Sequence, residues 1–274
     1  MANAAALKTA SATAPPHNSA ARAGHFAYAM LTDPGRVRHA NQDACAAAPE
    51  HNAFVVCDGV GGAAGGEIAS KLAVESFLVA LSADGISGPH ARLHRAVLAA
   101  NSAIFDRAQR MRSLRGMATT LVAALLEYPE EMPGCPTVWL AHAGDSRAYR
   151  LRAAELTQLT TDHSLVEEHI RAGLLHRAEA ERSPVRNVIT RAVGSMPSIE
   201  PEIASHAIEP GDLYLLASDG LTRELDDAAI ARMLSDHASE RSSTSLEAAA
   251  QALIDAANSH GGRDNITVLL LACR

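Results

Sequence analysis

The sequence predicts an α+β fold with four layers, an α-β-β-α sandwich in which two mostly antiparallel sheets are flanked by helix pairs. Hydrophobic patterns along the 274 residues follow the order strand, two helices, several strands, two helices and a final strand. The strands in the middle are separated by short turns, which favour antiparallel pairing over parallel crossovers. A polar, helical stretch at residues 161–195 interrupts these strands and predicts a small flap subdomain.

The elements of the first half follow from their hydrophobic spacing. Residues 25–31 and 53–57 are short apolar runs typical of strands, and residues 32–44 are expected to be a loop that returns to the sheet. Residues 66–81 and 90–113 carry apolar side chains at helical spacing, so we expect two amphipathic helices there.

Strands dominate the next part of the chain. Residues 117–127, 137–144 and 147–152 are apolar or alternating runs that predict strands. Gly144, Asp145 and Ser146 join the last two, so we expect a hairpin at this turn. The remaining patterns predict strands at 199–208, 212–218 and 265–273, and helices at 227–237 and 245–259.

Composition and charge exclude several classes of protein. The net charge is −7, whereas a nucleic-acid-binding domain normally carries a basic stripe. No apolar run approaches the ~20 residues of a membrane span. The four cysteines are scattered without a C-x-x-C pair. We therefore expect a cytoplasmic protein with reduced thiols that binds neither nucleic acid nor membrane.

The first residues differ from the rest in composition. Residues 1–24 are rich in Ala, Ser, Pro and Thr, and they lack the continuous apolar stretch of a secretory signal. We expect a disordered tail there. Residues 25–274 are then a single folded domain, which suits their length.

A cluster of glycines follows Asp58 and resembles a phosphate cradle. The segment at residues 59–64 fits the dinucleotide-binding pattern G-x-G-x-x-A. That motif needs a second parallel strand within a ~30-residue unit. Here a second helix occupies the span, so a dinucleotide-binding oxidoreductase is only the third alternative, and the Walker pattern is absent because no lysine follows the glycines. Asp58 would repel a phosphate unless a cation lay between them.

Aspartates recur where apolar strands begin or end. They are Asp43, Asp58, Asp145, Asp219 and Asp264. Each could simply cap a turn. If the strand ends share one edge, however, the carboxylates converge, and two charges ~4 Å apart repel by ~4 kcal/mol at an effective dielectric of about 20. Oxygen ligands without histidine or thiolate select magnesium or manganese, so the pattern predicts a metal site.

Seven ordered motifs resemble those of metal-dependent serine/threonine protein phosphatases, the PPM or type-2C family, in its bacterial branch. The resemblance covers about residues 24–273. It implies one phosphatase catalytic domain that hydrolyses phosphoserine and phosphothreonine on proteins, and it implies a bacterial Ser/Thr kinase as opponent. The motifs are RHANQDA, VVCDGVGGAAGGEIAS, GMATTLVAAL, HAGDSRAY, LTTDHSLV, LLASDGL and GRDNITVLLL.

The resemblance implies a set of metal ligands. Asp58 resembles the carboxylate that bridges two catalytic Mn²⁺ or Mg²⁺ ions, and Gly59 resembles a residue that offers its carbonyl. Asp219 and Asp264 resemble the remaining ligands of the first metal. Asp145 resembles an acid that holds a weaker third ion, shared with Asp219.

The resemblance also implies residues that act on phosphate and water. Arg38 occupies the place of a phosphate-binding arginine, and Asp43 that of an acid that orients the attacking water. Asn265 would support the loop of Asp264. The flap at residues 161–195 is expected to influence the choice of substrate.

Two positions depart from the family pattern. Gln42 stands where many relatives have glutamate, so a charge beside the metals is lost. Ala63 stands where several relatives have a histidine near the leaving group, so the general acid is a water or another residue such as His39. The alternative to an enzyme is a binding protein that kept the fold and lost catalysis. We expect a phosphatase because each metal-binding acid is present, and we expect it to be a monomer.

Overall fold

The computed structural model describes residues 8–9, 26–83, 88–128, 136–180 and 183–273. Two antiparallel sheets pack face to face between two pairs of helices, so the predicted four-layer α+β architecture is confirmed. None of the helices in these ranges is long and apolar enough to cross a membrane.

Strands and helices are numbered here in chain order. The strands are β1 (Lys8–Thr9), β2 (Phe26–Asp33), β3 (Asp43–Ala48), β4 (Ala53–Val60), β5 (Ala118–Thr119), β6 (Leu121–Glu127), β7 (Thr137–Ala143), β8 (Arg147–Arg152), β9 (Glu155–Gln158), β10 (Glu202–Ala207), β11 (Leu213–Ala217) and β12 (Ile266–Cys273). The helices are α1 (Gly62–Ser82), α2 (Pro89–Arg110), α3 (Leu165–Arg171), α4 (Arg177–Ala180), α5 (Asp219–Thr222), α6 (Asp227–His237) and α7 (Ser243–Ser259).

The two sheets divide the strands between them. The first has the order β1-β3-β4-β6-β7-β10, with β5 paired to the end of β4, and the second has the order β2-β12-β11-β8-β9. Every pairing in both sheets is antiparallel. Alternate residues of each strand therefore face the partner sheet or the covering helices.

Three hydrophobic layers hold the sandwich together. Helices α1 and α2 cover the outer face of the first sheet, and α6 and α7 cover the outer face of the second. Between the sheets, Phe54 and Val56 of β4 face Tyr214 and Leu216 of β11. The Phe26 and Phe54 rings meet edge to face with centroids 5.5 Å apart, a favourable aromatic geometry.

Capping residues explain why the helices begin where they do. Asp226 accepts a hydrogen bond from the Ala229 N–H at 2.7 Å and starts α6, and Ser242 and Ser245 form a capping box that starts α7. The predicted helix at residues 227–237 therefore agrees with α6 at both ends.

The predicted hairpin between residues 137–144 and 147–152 is wrong. Strand β7 pairs with β6 and β10 in the first sheet, whereas β8 pairs with β11 and β9 in the second. Gly144, Asp145 and Ser146 therefore cross from one sheet to the other. A Gly-Asp pair between two apolar strands suits a tight turn or a crossing, and only the hydrogen-bond partners of the strands distinguish them.

Other elements also differ from the sequence prediction. Residues 32–44 were expected to be a loop, but β3 begins at Asp43 within this range. The sequence did not predict β3, because its alanine-rich residues have little β-propensity. The predicted strand at residues 117–127 is interrupted at Thr120. Lys8–Thr9 forms a short strand beside β3, and the rest of the predicted N-terminal tail lies outside the described residues. The domain boundary at residue 24 stays a prediction.

Candidate metal centre

The topology brings the strand-end aspartates to one end of the sandwich. Asp43 begins β3, and Asp58 lies near the end of the antiparallel neighbour β4. In the second sheet, Asp219 follows β11, and Asp264 precedes the antiparallel β12. The crossing from β7 to β8 carries Asp145 past the same end. Antiparallel pairing therefore gathers acids as far apart in the sequence as Asp43 and Asp264.

Asp43 and Asp58 are direct cross-strand partners in the β3–β4 ladder. Opposed residues of an antiparallel pair have Cβ atoms about 4.5–5.5 Å apart and point to the same face. The Thr267 hydroxyl, from the second sheet, donates a 2.7 Å hydrogen bond to Asp43 Oδ2. The site thus lies between the two sheets and is contacted by both.

Asp58 is held by backbone contacts to the break between β5 and β6. Its N–H donates to Thr120 Oγ1 at 3.0 Å, and its carbonyl accepts from the Thr120 N–H at 2.8 Å. The Thr119 hydroxyl donates to the same carbonyl at 2.8 Å. The Thr120 hydroxyl also meets the Ser146 hydroxyl at 2.7 Å, so the strand that carries Asp58 is tied to the crossing that carries Asp145.

Burial and mutual repulsion raise the pKa values of these acids. The pKa of Asp58 lies well above its usual range because of burial and the charges of Asp43, Asp219, Asp145 and Asp264. Burial, Asp145 and Asp264 raise the pKa of Asp219 to about 8, with Arg223 opposing them. Burial raises the pKa of Asp43 to about 6 against its hydrogen bonds from Thr267 and Ser218. The raised pKa values show that the positively charged side chains nearby do not balance the negative charge of these acids.

The donor set fits a hard divalent cation. Among the described residues, Asp43 Oδ1, Asp145 Oδ1 and Asp219 Oδ1 are buried oxygens with no hydrogen-bond partner. Buried carboxylate oxygens normally have partners, so unpartnered ones leave room for a bound water or cation. Oxygen donors alone favour Mg²⁺ or Mn²⁺ over zinc. The chemistry of the site therefore agrees with the metal that the sequence predicts.

Arg223 lies among the acids, and sequence reasoning missed it. Its guanidinium forms an ion pair with Asp219 Oδ2, and it lies 3.4 Å from Asp145 Oδ2 and 3.9 Å from Asp264 Oδ2. Arg223 follows Asp219 by four residues across the short helix α5, which is the spacing of a helical ion pair. That spacing was a usable signal.

Arg38 reaches the same group of acids from the loop between β2 and β3. Its Nη2 donates to Asp264 Oδ2 at 2.7 Å, while 51% of the Arg38 side chain stays exposed. The loop is anchored by Asn265, whose amide donates to the carbonyls of Pro34 and Ala40 at 3.0 Å each. Asn265 N–H also donates to Asp264 Oδ1 at 2.9 Å.

Gln42 and Gly59 pack against the start of α1. Gln42 Nε2 donates to the Gly62 carbonyl at 2.7 Å, and the Gly59 N–H donates to the Gln42 carbonyl at 3.1 Å. A Cβ on Gly59 would lie 2.1 Å from the Gly66 carbonyl oxygen, so close contact with α1 requires glycine here. The side chain of Ala63 lies outside the described residues.

A second group of possible ligands joins the flap to the first sheet. His142, His163 and Glu202 are the one set of three within the described ranges whose ligand atoms all lie within 4.8 Å of one another. Burial, His142 and Arg191 lower the pKa of His163 to about 4, so its ring is neutral. Its Nδ1 accepts from the Gly144 N–H at 3.2 Å, so the ring proton is on Nε2, which faces Glu202 Oε2 at 3.5 Å. The His163 Nε2 atom therefore carries a proton toward Glu202 and has no lone pair to offer a metal ion.

Comparisons with known proteins identify the family of this chain. The protein phosphatase 2C family model matches residues 36–256. Serine/threonine phosphatase stp of Listeria innocua is 35% identical over 250 residues, covering 88% of this chain and 93% of that protein. The crystal structure of Mycobacterium tuberculosis serine/threonine phosphatase PstP/Ppp matches with a TM-score of 0.79 and 36% identity, covering 90% of this chain and 98% of that one. The catalytic domain of PstP in complex with 2 manganese ions matches with a TM-score of 0.77 and 35% identity, covering 91% of this chain and 98% of that one. The resemblance inferred from the motifs is confirmed, and the chain belongs to the protein phosphatase 2C family.

Proposed function

We propose that this chain is a metal-dependent phosphatase that hydrolyses phosphoserine and phosphothreonine on proteins. The observation that carries the proposal is the convergence of Asp43, Asp58, Asp145, Asp219 and Asp264, with three of their buried oxygens unpartnered. A member of the protein phosphatase 2C family with this donor set has the means to bind the ions that the reaction needs.

Four residues would hold the catalytic ions. Asp58 would bridge two ions, with Asp219, Asp264 and the Gly59 carbonyl as further ligands. Bound Mn²⁺ or Mg²⁺ would polarise the phosphate and lower the pKa of the attacking water. A manganese-bound structure of a relative supports two ions, and the choice between manganese and magnesium belongs to the proposal.

Arg38 would orient the phosphate. Its guanidinium is half-exposed and contacts only one oxygen of Asp264, so it can turn toward an incoming phosphate without leaving a buried charge behind. Arginine binds phosphate oxygens with paired, charge-assisted hydrogen bonds. Arg38 would therefore fix the phosphorus atom in line with the attacking water.

Asp43 would position that water. Its Oδ2 is held by the Thr267 hydroxyl, while its buried Oδ1 is free to accept a hydrogen bond. A bond then forms from water oxygen to phosphorus as the bond from phosphorus to the serine or threonine oxygen breaks. With alanine at position 63, the proton for the leaving oxygen would come from water or from a residue such as His39.

A weaker third ion is part of the proposal. It would bind between Asp145 and Asp219, whose Oδ2 atoms converge on one point, the Nη2 atom of Arg223. The crossing that carries Asp145 is tied to the flap, because the Gly144 carbonyl accepts from the His163 N–H at 2.9 Å. We therefore propose that the flap at residues 161–195 affects this ion and the substrate beside it.

The cellular setting also belongs to the proposal. Phosphorylated proteins are the substrates, a Ser/Thr kinase is the opponent, and the chain acts as a monomer in the cytoplasm. The buried thiols of Cys45, Cys57 and Cys273 are unpaired in the described residues, which suits a reducing compartment. Cys135 lies outside the described residues.

Asp58→Asn tests the proposal. We expect wild type to release phosphate from an aryl phosphate and from a phosphothreonine peptide only with Mn²⁺ or Mg²⁺, with activity lost in chelator and restored by added metal. Asp58→Asn should fold but lose tight metal binding and nearly all turnover. Asp106→Asn, an exposed carboxylate on α2, is the matched control and should behave as wild type. Metal binding without any turnover in wild type would instead support a binding protein.

A further inference from the structure

Arg223 contacts three of the proposed metal-binding acids at once. Its Nη2 meets Oδ2 of Asp219 and lies 3.4 Å from Oδ2 of Asp145, and its Nη1 lies 3.9 Å from Oδ2 of Asp264. The two nearest acids are almost fully buried, with side chains 8% and 10% exposed, whereas 35% of the Arg223 side chain is exposed. The guanidinium of Arg223 thus lies between the buried acids and the solvent.

The two oxygens of each of the nearest acids, Asp145 and Asp219, have different surroundings. Asp145 and Asp219 each turn Oδ2 toward the guanidinium, and each keeps Oδ1 buried without a partner. Arg223 can therefore remain in place while Asp219 Oδ1 serves one ion of the catalytic pair. An ion shared by Asp145 and Asp219 through Oδ2 would instead need the space that the guanidinium fills.

We propose that Arg223 is an internal cation that competes with the third metal ion for Asp145 and Asp219, and so sets the affinity for that ion. This inference rests on the proposed function, because it assumes the catalytic pair of ions. Arginine keeps its charge at every physiological pH and cannot be neutralised to make room. The third ion then binds only when Arg223 turns out toward solvent.

The same contact has a role when no ion is bound. Five acids converge at this end of the fold. Among the residues that the structure describes, Arg223 is the positively charged side chain that contacts three of them. Removing it should destabilise the metal-free protein by leaving buried carboxylates without a counter-charge. Arg223 therefore has two roles: it competes with the third ion, and it stabilises the metal-free protein.

Titration of Mn²⁺ into Arg223→Gln by calorimetry tests the proposal. We expect the third site to become at least tenfold tighter than in wild type, and the two tight sites, whose ligands Asp219 and Asp264 also contact Arg223, to change by less. The melting temperature in chelator should fall, and the rise on adding Mn²⁺ should be larger than for wild type. Arg263→Gln is the charge-matched control, because Arg263 precedes Asp264 but pairs with Glu224. It should leave the third site unchanged.

A measurement on wild type covers the case in which Arg223→Gln does not fold. The guanidinium N–H signal of Arg223, assigned by its loss in Arg223→Lys, should stay protected from exchange while Mg²⁺ fills two sites. It should lose protection only as the third site fills. Loss of protection with the first two ions, or unchanged third-site affinity in Arg223→Gln, would overturn the proposal. Absence of the two tight sites in wild type would instead contradict the proposed function.

Discussion

Asp43 and Asp58 are cross-strand neighbours on β3 and β4, at the end of the sandwich where the acids converge. Burial raises the pKa of both acids, and the charge of Asp43 raises the pKa of Asp58 further, whereas the hydrogen bond between them lowers the pKa of Asp43. The Thr267 hydroxyl from the second sheet meets Asp43 Oδ2, so the two sheets share this pair. A sandwich that buries such a pair is less stable without a cation than its hydrophobic layers alone would make it.

The stability of the metal-free protein should therefore fall as pH rises from 6.5 to 8. Asp219 has a folded pKa of about 8 against 3.8 for the ordinary group, and that of Asp58 is also raised, so the folded chain binds more protons than the unfolded chain in this window. His163, with its lowered pKa, affects stability only below about 6.5. Thermal melts in chelator would show the slope.

Two controls accompany the pH series. Asp219→Asn removes one of the titrating groups and should flatten the slope in chelator. Saturating Mg²⁺ should cancel or reverse the slope of wild type, because metal binding displaces protons from its ligands. A chelated wild type that becomes more stable between pH 6.5 and 8 would contradict the prediction.

Asp145→Ala should lower turnover and leave the two tighter metal sites intact. Asp145 lies on the crossing between the sheets and is not part of the Asp43–Asp58 ladder. Calorimetry with Mn²⁺ and turnover of an aryl phosphate would measure the two effects separately. If all metal binding disappeared, Asp145 would belong with the ligands of the catalytic pair.

Arg38→Ala should lower kcat/KM for phosphorylated substrates by about ten- to a hundredfold. The estimate follows from the loss of charge-assisted hydrogen bonds, which contribute about 1.5–3 kcal/mol. Arg36→Ala, in the same loop, is the control and should change kcat/KM little. Equal losses in both variants would show that the loop needs positive charge and that Arg38 has no specific contact with phosphate.

Gly59→Ala should destabilise the fold even in the absence of metal. The new Cβ would lie 2.1 Å from the Gly66 carbonyl oxygen, a backbone atom that can move only with α1. Gly65→Ala is a matched control on α1, since its Cβ would approach Met117 Cβ at 3.2 Å, where a side chain can adjust. Denaturant unfolding in chelator should show a much larger loss for Gly59→Ala. Equal losses would show that α1 can move away from a Cβ at position 59, so that the close contact does not require glycine.

Local patterns in the sequence were enough to predict the layers, most helices and the five acids. Helix α6 agrees at both ends because Asp226 caps it and its apolar residues keep a strict spacing. The acids were found because an apolar strand that ends in Asp-Gly is a local signal, repeated at Asp58 and Asp219. Alanine-rich β3 was missed because alanine has weak strand propensity and no alternation of polar residues.

Only the tertiary structure decided which strands are partners and which charges meet. A Gly-Asp turn is compatible with a hairpin and with a crossing, and hydrogen bonding to β6 and β10, not to β8, places β7 in the first sheet. The pairing of Arg223 with Asp219 could be read from their spacing of four residues. Its approach to Asp145 and Asp264 could not, because those acids come from distant parts of the chain and meet only where both sheets end.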